Sequence, residues 1–133
     1  MRAGISLFGD LGNDTMLGGD DDDTLLGGGD GSDQMSGTKG NDTVSGGDGD
    51  DVVVGGDRND AVAGDAGNDT VGGTMGNDTV SGGAGDDTVV GGDGDDQLYG
   101  NADNDSVYGE AGFDTLYGAT ATISSPGPVT TMS

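Results

Sequence analysis

Residues 82–100 read GGAGDDTVVGGDGDDQLYG, two near-copies of the same nine residues placed end to end. Each copy contains a pair of aspartates, one central apolar residue and little else that could pack. Glycine loses more backbone freedom on folding than any other residue, and few apolar side chains are present to offset that cost. A chain built from this segment therefore needs a source of stability other than an ordinary core.

Most of the 133-residue chain has this composition. It contains 32 glycines, 29% hydrophobic residues and 4% aromatic residues. The length suits a single domain, but the composition excludes an ordinary globular core and leaves either disorder or a repetitive fold. No apolar run approaches the roughly 20 residues of a membrane span, and the start, MRAGISLF, is too short and too weakly apolar for a secretory signal peptide.

The charge of the chain is strongly one-sided, with 26 acids, 3 bases and a formal net charge of −23. Like charge excludes nucleic acid as a natural partner and disfavours anionic membranes, so cations are the expected partners. The chain has no cysteine and no histidine. Disulfides, thiolate metal sites, a typical zinc site and histidine-dependent nucleophiles are therefore excluded.

A nine-residue repeat runs through the sequence. An aliphatic residue stands at every ninth position from Val44 to Leu116, and the pattern extends back to Met16 with a single ten-residue step. Neither low-complexity disorder nor an acidic solvating tail has a reason to keep this register through twelve copies. Two residues before each aliphatic position stands an aspartate: Asp14, Asp23, Asp33, Asp42, Asp51, Asp60, Asp69, Asp78, Asp87, Asp96, Asp105 and Asp114.

The repeat predicts an all-β solenoid in which each unit is a six-residue turn followed by a three-residue strand. Strands this short must stack on copies of themselves in two parallel sheets, about 4.8 Å apart. Two units form one 18-residue coil, so the chain has about six coils. The inward residues form two facing ladders. These are Met16, Met35, Val53, Val71, Val89 and Val107 in one sheet, and Leu25, Val44, Val62, Val80, Leu98 and Leu116 in the other.

Stacking also predicts columns of carboxylates along both edges of the solenoid. The columns would repel unless cations filled them, and a core one side chain wide is too small to hold the coils by itself. Aspartate oxygens and turn carbonyls form a flexible all-oxygen site, which suits Ca²⁺ better than Mg²⁺ or transition metals. One ion between successive turns on each edge gives about ten ions, or about +20 of charge. This nearly cancels the net charge.

The units GGAGDDTVV (82–90) and GGDGDDQLY (91–99) resemble the nonapeptide G-G-x-G-x-D-x-U-x of the RTX (repeats-in-toxin) family. The resemblance covers about residues 9–117. It implies a right-handed parallel β-roll with Ca²⁺ between the turns, an extracellular location, type I secretion and folding triggered by external Ca²⁺. It also implies that the twelve aspartates are the side-chain ligands, helped by backbone carbonyls of turns such as 46–50 and 82–86.

Four irregularities interrupt the pattern. The extra residue within 27–31 predicts a distorted site at Asp33, and Arg58 places a positive charge beside Asp60. Phe113 replaces the usual Asn or Asp before Asp114, and Ile5 stands where an aspartate would fall.

The chain is accordingly divided into an N-terminal cap (1–8), a repeat roll (9–118) and a Ser/Thr-rich tail or cap (119–133). The tail is interpreted as disordered, as a cap or as the remnant of a type I secretion signal. Tyr99 and Tyr117 are expected to stack one coil apart on an outer face, with Tyr108 on the opposite sheet.

Two functions fit the repeat, and a third is disfavoured. The first is a non-catalytic, calcium-binding module of a secreted protein, in which about ten Ca²⁺ ions are the cofactor and the partner. The second is a stand-alone extracellular structural or surface protein that self-associates through its coil ends, because exposed edges are templates for pairing. Ice binding is disfavoured, since Thr38 and Thr74 lie two coils apart with Gly56 between them. No segment typical of a catalytic domain is present.

Overall fold

The computed structural model describes residues 3–118, 122–124 and 129–132, and all the regular structure within these ranges is β-strand. Among the described residues there is no helix long and apolar enough to span a membrane. The strands are β1 Ser6–Phe8, β2 Thr15–Asp20, β3 Thr24–Asp30, β4 Gln34–Lys39, β5 Thr43–Asp48, β6 Val52–Asp57, β7 Ala61–Ala66, β8 Thr70–Met75, β9 Thr79–Ala84, β10 Thr88–Asp93, β11 Gln97–Ala102, β12 Ser106–Ala111, β13 Asp114–Tyr117, β14 Thr122–Ser124 and β15 Val129–Met132.

Successive strands alternate between two parallel sheets. The odd-numbered strands form one sheet in the order β1-β3-β5-β7-β9-β11-β13-β15, and the even-numbered strands form the other in the order β14-β12-β10-β8-β6-β4-β2. Paired residues are one coil apart, as in Val44↔Val62 and Val53↔Val71. The structure is therefore a parallel β-solenoid of about six coils with about 18 residues per coil, as the repeat predicts.

The two predicted ladders form the core. All twelve aliphatic residues are buried and pack in one cluster, and Met16 is the most exposed of them at 7%. The neighbours of each apolar residue face outward, so that β5 presents exposed Thr43, buried Val44 and half-buried Ser45. This alternation is the period of two that a pleated strand imposes on its side chains.

The strands are longer than the sequence predicts. β10 covers six residues, Thr88–Asp93, and includes Gly92 at a φ of +117°. Only three residues remain for each turn between β2 and β12, instead of the predicted six. Stacking places equivalent segments of successive coils side by side, so their backbones form hydrogen bonds even where glycine bends the chain. For example, the N–H of Gly94 donates to the carbonyl of Ala111 at 2.8 Å.

The ten-residue unit is accommodated by an irregularity in β3. The register of β3 against β5 shifts between Leu26 and Gly29, and the regular pairing then resumes. Asp33 is 2% exposed and takes part in the same hydrogen bonds, at 2.8 Å, as the other aspartates of its column. The extra residue leaves the hydrogen bonds of Asp33 undisturbed, but Oδ2 of Asp33 lies 3.1 Å from the Cβ position of Gly27, compared with 2.5 Å for Oδ2 of Asp51 at Gly46. The distorted metal site expected at Asp33 stays a prediction.

The described ends of the chain continue the two sheets. Leu7 of β1 pairs with Leu25 and packs against the core, and Ile5 occupies the aspartate position opposite Asp23. β14 pairs with β12, and β15 pairs with β13. β1, β2, β14 and β15 are the edge strands of their sheets. Self-association through these edges stays a prediction.

The outer faces agree with two expectations from sequence. The rings of Tyr99 and Tyr117 stack with centroids 4.7 Å apart and planes 3° from parallel, and Tyr108 lies in the opposite sheet. Thr38 pairs with Gly56, which pairs with Thr74, so the threonine ladder is interrupted as predicted.

Candidate metal centre

The twelve predicted aspartates form two columns along the edges of the solenoid, as the repeat predicts. Eleven of them are buried, with 1–4% of their surface exposed, and Asp14 is half-buried. One column contains Asp14, Asp33, Asp51, Asp69, Asp87 and Asp105, and the other contains Asp23, Asp42, Asp60, Asp78, Asp96 and Asp114.

Wherever a preceding coil is present, Oδ1 of each column carboxylate accepts a hydrogen bond from a backbone N–H of that coil. The N–H of Asp51 donates to Oδ1 of Asp69, and the N–H of Asp69 donates to Oδ1 of Asp87, both at 2.8 Å. The same bond joins successive aspartates throughout both columns at 2.7–3.2 Å. These bonds fix the orientation of each carboxylate relative to the next turn.

The second oxygen of each carboxylate is buried without a partner. In the part of the chain that the structure describes, Oδ2 of all twelve aspartates has no hydrogen-bond donor. Leaving a buried acceptor unsatisfied costs about 1–3 kcal/mol, and more when it is charged. Twelve such atoms in register indicate a missing positively charged partner rather than a local packing defect.

A glycine leaves an open space beside each orphaned oxygen, and at six of these glycines a backbone carbonyl oxygen also lines that space. A carbon atom placed at the Cβ position of Gly46 would lie 2.5 Å from both Oδ2 of Asp51 and the carbonyl oxygen of Gly64, one coil further on. Equivalent positions recur along the solenoid, for example at Gly9. A carboxylate oxygen and a carbonyl oxygen thus converge on a space that only glycine leaves open.

The sequence was compared with known proteins. The model of the RTX calcium-binding nonapeptide repeat, in four copies, matches six overlapping segments: residues 6–30, 27–60, 45–80, 54–89, 72–107 and 81–116. The chain belongs to this family. RTX repeats bind calcium and are typical of secreted proteins. No curated protein matches the sequence.

The donor set of the RTX columns fits calcium. The oxygens that converge are carboxylates and carbonyls, which are the ligands that hard divalent cations prefer. In the described ranges no three acidic, histidine or cysteine side chains cluster as a metal site. Carboxylates alone therefore do not form a cage for a cation in these ranges.

Burial raises the pKa of seven carboxyls in the RTX columns. Burial is the main cause of a raised pKa at Asp60, to about 7, and the nearby charges of Asp78, Asp42 and Asp57 raise it further. The N–H of Asp42 partly opposes this shift. The pKa of Asp60 is raised even though the sequence places the positive charge of Arg58 two residues before it.

Other carboxyls of both columns shift in the same direction, again chiefly because of burial. The pKa rises to about 6 at Asp69 and at Asp96. It is also raised at Asp42, Asp51, Asp78 and Asp87. The roll therefore penalises ionised carboxylates in its columns, and a bound cation would reverse that penalty.

Alanine substitutions at two adjacent glycines, Gly72 and Gly73, test whether the space beside Asp78 must stay open. A methyl group added at Gly73 would lie 2.7 Å from both Cβ and Cγ of Asp78, whereas one added at Gly72 meets only the carbonyl oxygen of Val90 at 3.8 Å. We expect Gly73→Ala to lower the free energy of unfolding in Ca²⁺ by about 1–3 kcal/mol or more, because the overlap displaces the carboxylate. Gly72→Ala is expected to change it by less than about 1 kcal/mol.

Urea denaturation of both variants in saturating Ca²⁺ measures the difference. Equal losses of stability in the two variants would show that the space beside Asp78 has no special role.

A second ladder of side chains, not predicted from the sequence, lies beside the columns. The residue before each column aspartate, usually Asn or Asp, is exposed and bonds through Oδ1 to the next coil, as when Asn68 accepts from the N–H of Asp86 at 2.9 Å. The signal was present in the sequence, since Asn and Asp recur at this position and both offer an acceptor close to the backbone.

Proposed function

We propose that this chain is a calcium-binding module that folds when Ca²⁺ occupies the spaces between successive turns, with the twelve column aspartates as side-chain ligands. The observation that carries the proposal is that twelve Oδ2 atoms, one per repeat, are buried in two columns without a hydrogen-bond donor. Membership of the RTX family supports calcium as the ion. Glycine positions beside these atoms, six of which bring a carboxylate oxygen and a carbonyl oxygen together, support an all-oxygen ligand set.

The number of ions follows from the columns. Each column contains six aspartates and therefore five gaps, which gives about ten Ca²⁺ ions for the two columns at one ion per gap. Their charge would be about +20, close to the magnitude of the formal net charge of −23. Mg²⁺ is a poorer candidate because it demands a near-ideal octahedron and gives up its waters reluctantly.

Folding and ion binding would be coupled. The space beside such a glycine combines oxygens of different coils, such as those of Asp51 and Gly64, so it does not exist until the coils stack. Ion binding energy then becomes folding energy. Extracellular calcium modules bind at about 10⁻⁴–10⁻³ M. Such affinities would keep the chain unfolded in a cytosol poor in calcium and fold it after export, in keeping with type I secretion.

We further propose that the module is non-catalytic. RTX repeats are typically structural and calcium-binding. The chain has neither histidine nor cysteine, and the buried carboxylates of the columns are committed to the backbone through Oδ1. Its role would be to fold and to support, outside the cell, the protein of which it forms part.

Equilibrium dialysis against Ca²⁺ tests the proposal. The chain is expected to bind about ten Ca²⁺ ions in a cooperative transition, and to bind far fewer Mg²⁺ ions at the same concentration. Binding of only one or two Ca²⁺ ions, or equal binding of Mg²⁺, would contradict the assignment of the columns as calcium sites.

A further inference from the structure

The residue that precedes each column aspartate forms a ladder of its own on the solvent side of the turns. At nine coil junctions, Oδ1 of this residue accepts a hydrogen bond of 2.8–3.2 Å from the backbone N–H of the equivalent residue one coil later. The acceptors are Asn13, Asp22, Asn41, Asp50, Asn59, Asn68, Asn77, Asp86 and Asp95.

The two ladders run in opposite directions. In the buried ladder the N–H of Asp69 donates forward to Oδ1 of Asp87, and in the exposed ladder the N–H of Asp86 donates backward to Oδ1 of Asn68. Two adjacent residues of one turn therefore exchange bonds with two adjacent residues of the next. This reciprocal clamp fixes both the spacing and the relative orientation of the turns.

The clamp acts on the atoms that face the ion. The exposed bond fixes the position of Asp86 relative to Asn68, and the buried carboxylate of Asp87 follows directly along the chain. Oδ1 of Asp87 is held by the preceding turn, so the direction of its free Oδ2 depends on the spacing of the turns. Ligand atoms tolerate only small displacements, and partners that orient ligands are as important as the ligands themselves.

Charge is not the shared property of the exposed ladder. The buried columns contain aspartate at all twelve positions, whereas the exposed position holds Asn at six, Asp at four, and Ser32 and Phe113 at the other two. Asn and Asp have in common an oxygen at Oδ1. In neither column of the exposed ladder are two aspartates consecutive, so the exposed carboxylates are not stacked directly on one another.

We propose that the exposed Asn and Asp residues are positioning residues for the calcium sites: through Oδ1 they hold neighbouring turns so that the buried Oδ2 atoms face the ion. They do not bind the ion themselves, and their charge is dispensable. The inference rests on the proposed function, since it concerns the same sites.

Asp86 allows the acceptor and the charge to be separated. Its Oδ1 accepts from the backbone N–H of Asn104 at 3.0 Å and from Nδ2 of Asn104 at 3.3 Å. Asp86→Ala removes acceptor and charge, whereas Asp86→Asn removes only the charge. Ser32→Ala is the matched control, because in the described part of the chain Ser32 occupies the same exposed position without a bond from its side chain to the next coil.

The experiment is a Ca²⁺ titration of the full chain followed by circular dichroism, with bound ions counted by dialysis at the Ca²⁺ concentration that just saturates the wild type. Loss of one hydrogen bond is expected to raise the Ca²⁺ midpoint of Asp86→Ala about threefold to tenfold and to reduce the bound ions by about one. Asp86→Asn and Ser32→Ala are expected to stay within about twofold of the wild type.

Each alternative result has a definite meaning. If Asp86→Asn is impaired as much as Asp86→Ala, the charge of Asp86 is required and the positioning role is wrong. If Asp86→Ala binds calcium like the wild type, the clamp has no effect on the sites and the proposal is overturned, while the proposed function stands. A wild-type chain that binds no calcium would overturn the proposed function and this proposal with it.

Discussion

Without calcium, the chain is expected to be unfolded at pH 7 and to gain β-structure as the pH falls towards 4. The reason is the buried columns, in which burial is the main cause of raised pKa values at seven carboxyls. Because these values lie above the ordinary value of 3.8, the ion-free roll binds more protons than the unfolded chain. Its stability therefore falls as the pH rises.

These pKa values define the pH window. The stabilisation by protons is fully present below about pH 4, the pKa of an unfolded aspartate. It is lost as the pH rises through about 6 at Asp69 and Asp96 and about 7 at Asp60. Protonation thus removes the same buried charge that Ca²⁺ would neutralise.

Circular dichroism of the chain in EDTA between pH 8 and pH 4 measures this response. Saturating Ca²⁺ provides the control, because it should flatten the pH dependence above about pH 6. An ion-free chain that gains no β-structure on acidification would contradict the expectation that buried negative charge opposes folding.

Asp69→Asn is expected to stabilise the ion-free roll and to weaken its response to calcium. The amide retains Oδ1, which accepts from the N–H of Asp51, but the buried negative charge is gone. The shift of the pKa of Asp69 from 3.8 to about 6 corresponds to a gain of about 1–3 kcal/mol at pH 7 without ions. With calcium, the loss of one charged ligand should raise the Ca²⁺ midpoint about tenfold or more.

The two effects are measured separately. In EDTA, the pH at which half the β-structure forms should be higher for Asp69→Asn than for the wild type. At pH 7, more Ca²⁺ should be needed. Asp93→Asn is the matched control, because it changes the net charge equally but its side chain is exposed. A variant that is more stable than the wild type both in EDTA and in Ca²⁺, or less stable in both, would show that Asp69 acts on stability alone.

The period of nine was sufficient to predict the architecture and the place of each column. A spacing of 18 residues per coil predicted the pairing of Val44 with Val62 and the stacking of Tyr99 on Tyr117, and both are confirmed. In a solenoid one coil is a template for the next, so a local spacing determines long-range contacts. In an ordinary globular domain, a local sequence spacing does not determine which distant residues are in contact.

What the sequence did not predict depends on backbone bonding between coils. The strands are six residues long because glycine segments pair in register, and propensity does not reveal such pairing. The different roles of Asp86 and Asp87 were only partly predicted. Both are aspartates in one turn, but one is exposed and accepts from the next coil, while the other is buried and accepts from the coil before.

The central claim is that calcium supplies the folding energy that this composition lacks. The most direct measurement is the far-ultraviolet circular dichroism of the chain at pH 7, first in EDTA and then with Ca²⁺ added to about 10 mM, well above the range typical of extracellular modules. We predict a disordered spectrum in EDTA and a β-sheet spectrum after Ca²⁺, with no comparable change on adding Mg²⁺. A full β-sheet spectrum in EDTA at pH 7 would contradict the claim.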